Sequence, residues 1–156
     1  MNTLLILAFV GSFFNTQPKL PERPASPLFT SITNYWVTGQ QSNVLALANA
    51  RLATNQNDIV GLVLKASWDF SNSDRATLRT THSRMLEAGS SIKTPAFSRA
   101  YKISMLGLPE IFKSLTESSS TNSAAHASRA NQMKTTLGPM AYFLELYALD
   151  QDGLLQ

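Results

Sequence analysis

Histidine is the side chain best suited to acid–base catalysis or metal binding near neutral pH, and this sequence has two, His82 and His126. Because the sequence has no cysteine, a zinc site would need carboxylates to complete it. Neither histidine has an acid three or four residues away, the spacing that places two side chains on one helix face. Glu87, five residues from His82, lies on another face. We therefore expect no metal site, and we assign both histidines to surface or capping roles.

Other patterns that carry chemistry are missing as well. No serine lies in a Gly-x-Ser-x-Gly motif, and Ser83 would diverge from His82 on a helix. The seven glycines are scattered, so no glycine-rich loop can cradle a phosphate. Asp150 and Asp152 resemble the start of a calcium loop, but the printed sequence ends before the bidentate twelfth position. The sequence predicts no catalytic residues and no cofactor.

One charge pattern suits a binding function. A basic cluster between residues 75 and 102 has a single acid, Glu87, among six cations: Arg75, Arg79, Arg84, Lys93, Arg99 and Lys102. The segment from 140 to 156 has three acids and no base. These two regions either balance each other on a solvated surface, or the basic one binds an acidic partner. Nucleic acid is disfavoured because the cluster contains only two aromatic residues, Phe97 and Tyr101, and so lacks a platform of stacking rings.

Apolar periodicity indicates which elements carry these residues. From residue 27 onward apolar side chains recur at three- and four-residue steps, and glycine and proline are sparse. Eight helices are predicted, and their starts lie near Pro27, Ser42, Asp58, Asp74, Pro95, Pro109, Ala124 and Pro139. The chain is therefore predicted to be all-α, with helical hairpins packed as a small irregular bundle or a short repeat-like stack.

Two of these helices carry specific expectations. The third, from Ile59 to Phe70, is apolar on nearly every side, so we expect it to be the most buried helix, with Trp68 in the core. The fifth is predicted to start at Thr94 and Pro95. Threonine supplies a capping hydroxyl, and proline fits the next position because no amide hydrogen is needed there.

The first 27 residues differ in composition from the rest. The apolar run from Leu4 to Val10 has the length of a signal-peptide core and is too short to span a bilayer. It lacks preceding basic residues, so an element packed on the core and a membrane anchor remain alternatives. Prolines at 18, 21, 24 and 27 predict an extended spacer. We divide the chain into a leader (1–14), a spacer (15–27), a helical domain (28–150) and a tail (151–156).

The stretch from Leu47 to Trp68 resembles the junction between two tetratricopeptide repeats. A bulky and then a small residue end one helix, a polar turn follows, and the next helix has leucine and then an aromatic residue. The positions that match are Leu47, Ala50, Asn55–Asn57, Leu64 and Trp68. The resemblance covers about residues 43–77. It departs from the family at Asn55, where proline is usual, and at Gly61, Lys65 and Thr77.

The resemblance implies a binding surface. In tetratricopeptide repeats the first helix of each repeat lines a concave face that holds a protein or peptide. Here that face would include Asn57, Gly61 and Lys65, with Arg75 and Arg79 nearby. These five residues are our predicted partner-binding residues.

These observations favour a non-catalytic helical binding or scaffold domain that engages a protein or peptide partner. The leader predicts a secreted or periplasmic protein, or one tethered to a membrane through residues 1–14. A first alternative is a helical-bundle enzyme or small-ligand-binding protein whose pocket lies among four aromatic residues: Trp36, Trp68, Tyr101 and Tyr142. A second alternative is a membrane-tethered structural component.

Overall fold

The computed structural model describes residues 23–119 and 141–156, together with Ala124, Ser128, Asn131, Gln132 and Gly138. Seven helices lie in the ranges 23–119 and 141–156, the single positions 124, 128, 131 and 132 are also helical, and no described residue is in a strand. The helices are α1 (Pro27–Val37), α2 (Gln41–Thr54), α3 (Ile59–Asn72), α4 (Arg75–Gly89), α5 (Pro95–Ser104), α6 (Leu108–Ser119) and α7 (Phe143–Gln151). The predicted all-α fold is confirmed. The leader 1–14, most of the spacer and the predicted helix from Ala124 to Leu137 lie outside the described residues or are described only at single positions.

Helix α3 is the centre of the fold. It packs against α2, α4 and α7, and residues on nearly every side of it are buried, as the sequence predicts. Its buried residues are Val60, Gly61, Leu62, Val63, Leu64, Ala66, Ser67, Asp69 and Phe70. Trp68 is only half-buried, so the expectation that it lies at the centre of the core is wrong. The polar Ser67 and Asp69 beside it are buried instead.

The turn between α2 and α3 is closed by one arginine. Asp58 caps α3 by accepting a hydrogen bond from the Gly61 backbone N–H (2.6 Å). Arg51 of α2 donates to both carboxylate oxygens of Asp58, at 2.8 and 3.0 Å. Burial raises the pKa of Asp58, but the hydrogen bonds from Arg51 and Gly61 outweigh it and hold the pKa below its usual value. The Asn55 N–H donates to the Arg51 carbonyl (2.9 Å), a bond that proline cannot make.

Close approach of α2 and α3 depends on Gly61. A Cβ atom at this position would lie 3.0 Å from Cγ of Leu52 and 3.3 Å from Cβ of Arg51. Glycine therefore lets the two helices of this hairpin come together along the turn side.

Helix α5 begins at Pro95, as predicted, but its cap comes from a distant residue. Thr94 occupies the capping position, yet its hydroxyl oxygen is buried and has no hydrogen-bond partner. Asp152, just after α7, accepts the backbone N–H groups of Ala96 (3.1 Å) and Phe97 (2.7 Å). The predicted role of the Thr94 hydroxyl is therefore wrong, because this carboxylate occupies the place of the cap.

The two ends of the described domain are joined. The Asp150 carboxylate accepts the Ser26 N–H at 3.2 and 3.3 Å, and Ser26 in turn caps α1. Gln151 bonds to the backbone of Arg23 in both directions. Leu155 is buried in the core. Residues 151–156, which the sequence analysis sets apart as a tail, thus pack on the domain.

Candidate functional site

The interior contains a buried histidine. His82, on the inner face of α4, is 6% exposed, so the expectation of a surface or capping role is wrong. Its Nε2 lies 3.1 Å from the Ser104 carbonyl oxygen, and its Nδ1 lies 2.8 Å from the Tyr142 hydroxyl. Because a carbonyl only accepts, Nε2 carries the hydrogen, and in the neutral ring Nδ1 accepts from Tyr142. Burial lowers the pKa of His82, although its bond to Ser104 acts in the opposite direction.

A buried carboxyl lies one helical turn from Tyr142. Glu145 is 3% exposed, and its Oε2 has no hydrogen-bond partner. Burial raises the pKa of Glu145 to about 8, so this side chain is mostly uncharged at neutral pH. Burial also raises the pKa of Tyr142 well above its usual value, and the charges of Glu145 and Asp69 add to this effect.

A second polar group joins α3, α4 and α6. Asp69 is fully buried and accepts hydrogen bonds from Lys65, from the Ser73 hydroxyl (2.9 Å) and from the Thr81 hydroxyl (2.6 Å). Lys113 of α6, also fully buried, donates to the Asp69 carbonyl (3.0 Å) and to two further carbonyls at the end of α3, those of Phe70 and Ser73. A cation at the C-terminus of a helix is favourable because the carbonyls there carry partial negative charge.

These buried groups hold helices together. His82 connects α4 with the end of α5 and the start of α7, while Lys113 fastens α6 to the end of α3. Their polar atoms are buried, so a substrate would have to displace packed side chains to reach them. The arrangement therefore explains the architecture better than it explains a reaction.

The four aromatic residues of the predicted pocket do not line a cleft that the structure shows beside residues 23–27. Trp36 and Tyr101 pack half-buried against the core, and Tyr142 is fully buried. A shallow cleft of about 320 Å³ lies elsewhere, between residues 23–27 and the end of the chain. Its walls include Asp150 and Leu155, which already hold α1 and α7 together.

The predicted partner-binding residues occupy different environments. Asn57 is exposed in the turn before α3, where its N–H donates to the Asn55 side chain (3.0 Å). Gly61 is buried beneath Leu52. Lys65 is half-buried and paired with Asp69. A buried glycine offers no side chain or surface to a partner, so the accessible members of this set are the charged and polar ones.

Arg75 and Arg79 are brought together by a residue that the sequence analysis did not single out. Both guanidinium groups contact Oε1 of Glu110 on α6, with Arg75 at 3.2 Å and Arg79 Nε at 2.9 Å. Hydrogen bonds from Arg79 lower the pKa of Glu110, despite the opposing effect of its partial burial, so its carboxylate stays ionised. Two cations share one anion, which leaves this group with a net positive charge.

The acids between residues 140 and 156 do not balance the charge of the basic cluster on a solvated surface, because they are not on that surface. Glu145 and Asp150 are buried, and Asp152 is half-buried at the start of α5. All three acids serve the packing of α1, α5 and α7. Arg99 and Lys102 on α5, by contrast, form no ion pair with an acid of the described residues.

An exposed group of large apolar side chains surrounds the turn between α5 and α6. We call it the apolar corner: Met105 (60% exposed), Leu106 (69%), Leu108 (38%) and Ile111 (51%). Gly107, at φ +68°, makes the turn that brings the two helix ends together. Leu108 and Ile111 are three residues apart and share one face of α6. Grouped exposed apolar side chains mark sites of interaction.

Periodicity alone could not identify the apolar corner. Met105 and Ile111 continue the apolar helical spacing of their segments, a pattern that on its own predicts inward-facing side chains. In the structure Phe97 and Ala100 fill the inner face of α5, and the buried side chain of α6 that reaches α3 is Lys113. Residues 105–111 contain more large apolar side chains than one inner helix face can hold. That excess is the feature of the sequence that could have predicted an exposed apolar surface.

Neither metal ligands nor a spanning helix accompany this surface. In the described ranges, no three histidine, aspartate or glutamate side chains are grouped as metal ligands. No helix of those ranges has the length and apolar character needed to cross a bilayer. Comparisons of this chain with protein-family models, curated proteins and solved structures found no match.

Proposed function

We propose that this protein is a non-catalytic helical binding domain and that it engages a protein or peptide partner through the apolar corner. The observation that carries the proposal is the grouping of exposed apolar side chains, among them Leu106 and Ile111, on neighbouring elements. Covering such side chains removes apolar surface from water, at about 25 cal/mol per Å². The ionised groups around the corner supply orientation.

The predicted residues Arg75 and Arg79 fit this surface. Both contact Glu110 of α6, the helix that carries Leu108 and Ile111, so a partner that extends from the corner along α6 toward α4 would approach their guanidinium groups. Asn57 and Lys65 remain proposed contacts of a repeat-like concave face. That part of the proposal is supported by the spacing of residues 43–77 and by the packing of α3 between α2 and α4.

Site-directed photo-crosslinking tests the proposed surface. Leu106 is replaced by benzoylphenylalanine in the full chain, which is irradiated in cells that produce the protein. The matched control places the same residue at Val37, an 87% exposed apolar position at the end of α1. We expect a discrete crosslinked product from position 106 that the additional substitution Ile111→Ser removes. Equal products from both positions, or none from position 106, would refute the proposed surface.

We also propose export, supported by the apolar run from Leu4 to Val10. Intact mass spectrometry of the protein recovered from producing cells tests this directly. A chain that begins after Ser12 supports cleavage of a signal peptide. A full-length chain in the membrane fraction supports the tethered alternative, and a full-length chain in the soluble cytosolic fraction contradicts both.

A further inference from the structure

We infer that the partner segment is an amphipathic helix that has apolar side chains at three- and four-residue spacing and carboxylates at one end. This inference rests on the proposed function and adds the chemistry of the partner. The apolar face would cover Leu106, Leu108 and Ile111, and the carboxylates would lie against Arg99 and Lys102. Helices recognise apolar surfaces of this kind through one face of their own.

The charges on the α5 side indicate an acidic partner. Lys102 lies in the last turn of α5, which ends at Ser104 just before Met105 and Leu106, and Arg99 lies one turn further back. Lys102 is exposed and Arg99 is half-buried. The α4 side adds an excess of positive charge, because Arg75 and Arg79 share Glu110. Because Glu110 neutralises part of this α4 charge, a partner that lays apolar residues on the corner meets its strongest positive charge on the α5 side, at Arg99 and Lys102.

The charges on α6 favour a discrete segment over a lipid surface. Helices that lie on anionic membranes carry lysine and arginine along their polar face. Helix α6 instead carries Glu110 and Glu117, and its lysine, Lys113, is buried against α3. A membrane would present negative charge along the whole of α6. A peptide can place its carboxylates beside Arg99 and Lys102 alone.

The test selects a random peptide-display library against the full chain. We expect the selected peptides to combine helical apolar spacing with aspartate or glutamate at one end. Selection is repeated on Arg99→Glu/Lys102→Glu, where we expect lysine and arginine to replace the acids of the peptides. The control is Arg84→Glu, at an exposed cation of α4 that donates to the Gln56 carbonyl. On this control we expect the same peptide preference as on the parent. A parent peptide should bind the charge-reversed protein about tenfold more weakly, since two exposed attractions become repulsions.

The outcomes separate this inference from the proposed function. Peptides that are apolar but show no acidic preference overturn the inference and leave the proposed surface standing. Circular dichroism first checks that the variant Leu106→Ser/Ile111→Ser is folded, and enrichment that persists on the folded variant overturns both. No enrichment above background on the parent also overturns the inference. A membrane role predicts a different result: the parent selects no peptides but binds phosphatidylglycerol vesicles, and Leu106→Ser/Ile111→Ser abolishes this vesicle binding. That result would assign the corner to a membrane and refute the inference.

Discussion

The Tyr142 hydroxyl and Nδ1 of His82 lie 2.8 Å apart in the interior, although sixty residues separate them along the chain. This bond fastens the start of α7 to the inner face of α4. Because the Ser104 carbonyl holds the other ring nitrogen, both polar atoms of the imidazole are satisfied without contact to water. The contact is therefore a cross-link between three elements that are distant in sequence.

Tyr142→Phe should destabilise the fold by about 1–3 kcal/mol, because it leaves Nδ1 of His82 buried without a partner. Urea denaturation followed by circular dichroism measures the loss. Tyr35→Phe, which alters a half-buried tyrosine of α1, is the control and should change the free energy of unfolding much less. Equal losses in the two variants would show that the His82 bond contributes nothing specific.

The His82 imidazole should make stability fall in mild acid. Its pKa is lowered in the folded protein from the ordinary 6.5, so the unfolded chain binds the proton more readily. The stability it contributes is present above about pH 6.5 and is lost as the pH falls below that value toward the folded pKa. The difference in free energy of unfolding between parent and His82→Gln, measured from pH 7.5 to pH 5, isolates this effect. A difference that stays constant over that range would contradict it.

Glu145 should have the opposite effect on the pH dependence of stability, so that stability falls as the pH rises. Its folded pKa is about 8 against an ordinary 4.5, so the folded protein holds this proton more tightly than the unfolded chain. Stability from this group is present below pH 4.5 and is lost as the pH rises toward 8. At about 1.4 kcal/mol per pH unit, the loss at pH 7 is on the order of 3 kcal/mol.

The substitution Glu145→Gln tests this effect, because glutamine has the shape of the uncharged acid and does not titrate. We expect the variant to lose the decline in stability between pH 4.5 and pH 8, and to gain on the parent progressively as the pH rises. Glu87→Gln makes the same substitution at an exposed position of α4 and is the matched control. Parallel profiles for parent and Glu145→Gln would mean that the carboxyl ionises inside the fold without cost.

Local signals in the sequence predict most of the helix starts. Helices begin at or beside Pro27, Asp58, Asp74 and Pro95 as expected, because a cap acts on backbone groups within three residues of itself. The second helix begins at Gln41, one residue before the predicted Ser42 cap. The central position of α3 is also predictable, since a helix that is apolar on every side can only be buried.

The tertiary partners could not be predicted in the same way. His82 and Tyr142, Phe97 and Asp152, and Arg79 and Glu110 are separated by 60, 55 and 31 residues. Helical periodicity indicates that a face is apolar, but it does not indicate which other face covers it. The same limit applies to the apolar corner. Its residues have core-like spacing, and only the packed structure shows that no described helix lies over them.

The cap of α5 provides the sharpest comparison between a local and a distant residue. Asp152→Ala should cost about 1–2 kcal/mol, because the N–H groups of Ala96 and Phe97 lose their acceptor. Thr94→Val, at the position where sequence rules place the cap, should be neutral or stabilising, since it replaces a buried hydroxyl oxygen that has no partner. Thermal unfolding of both variants, followed by far-ultraviolet circular dichroism, measures the two effects. A larger loss in Thr94→Val than in Asp152→Ala would return the capping role to threonine and reduce Asp152 to a surface acid.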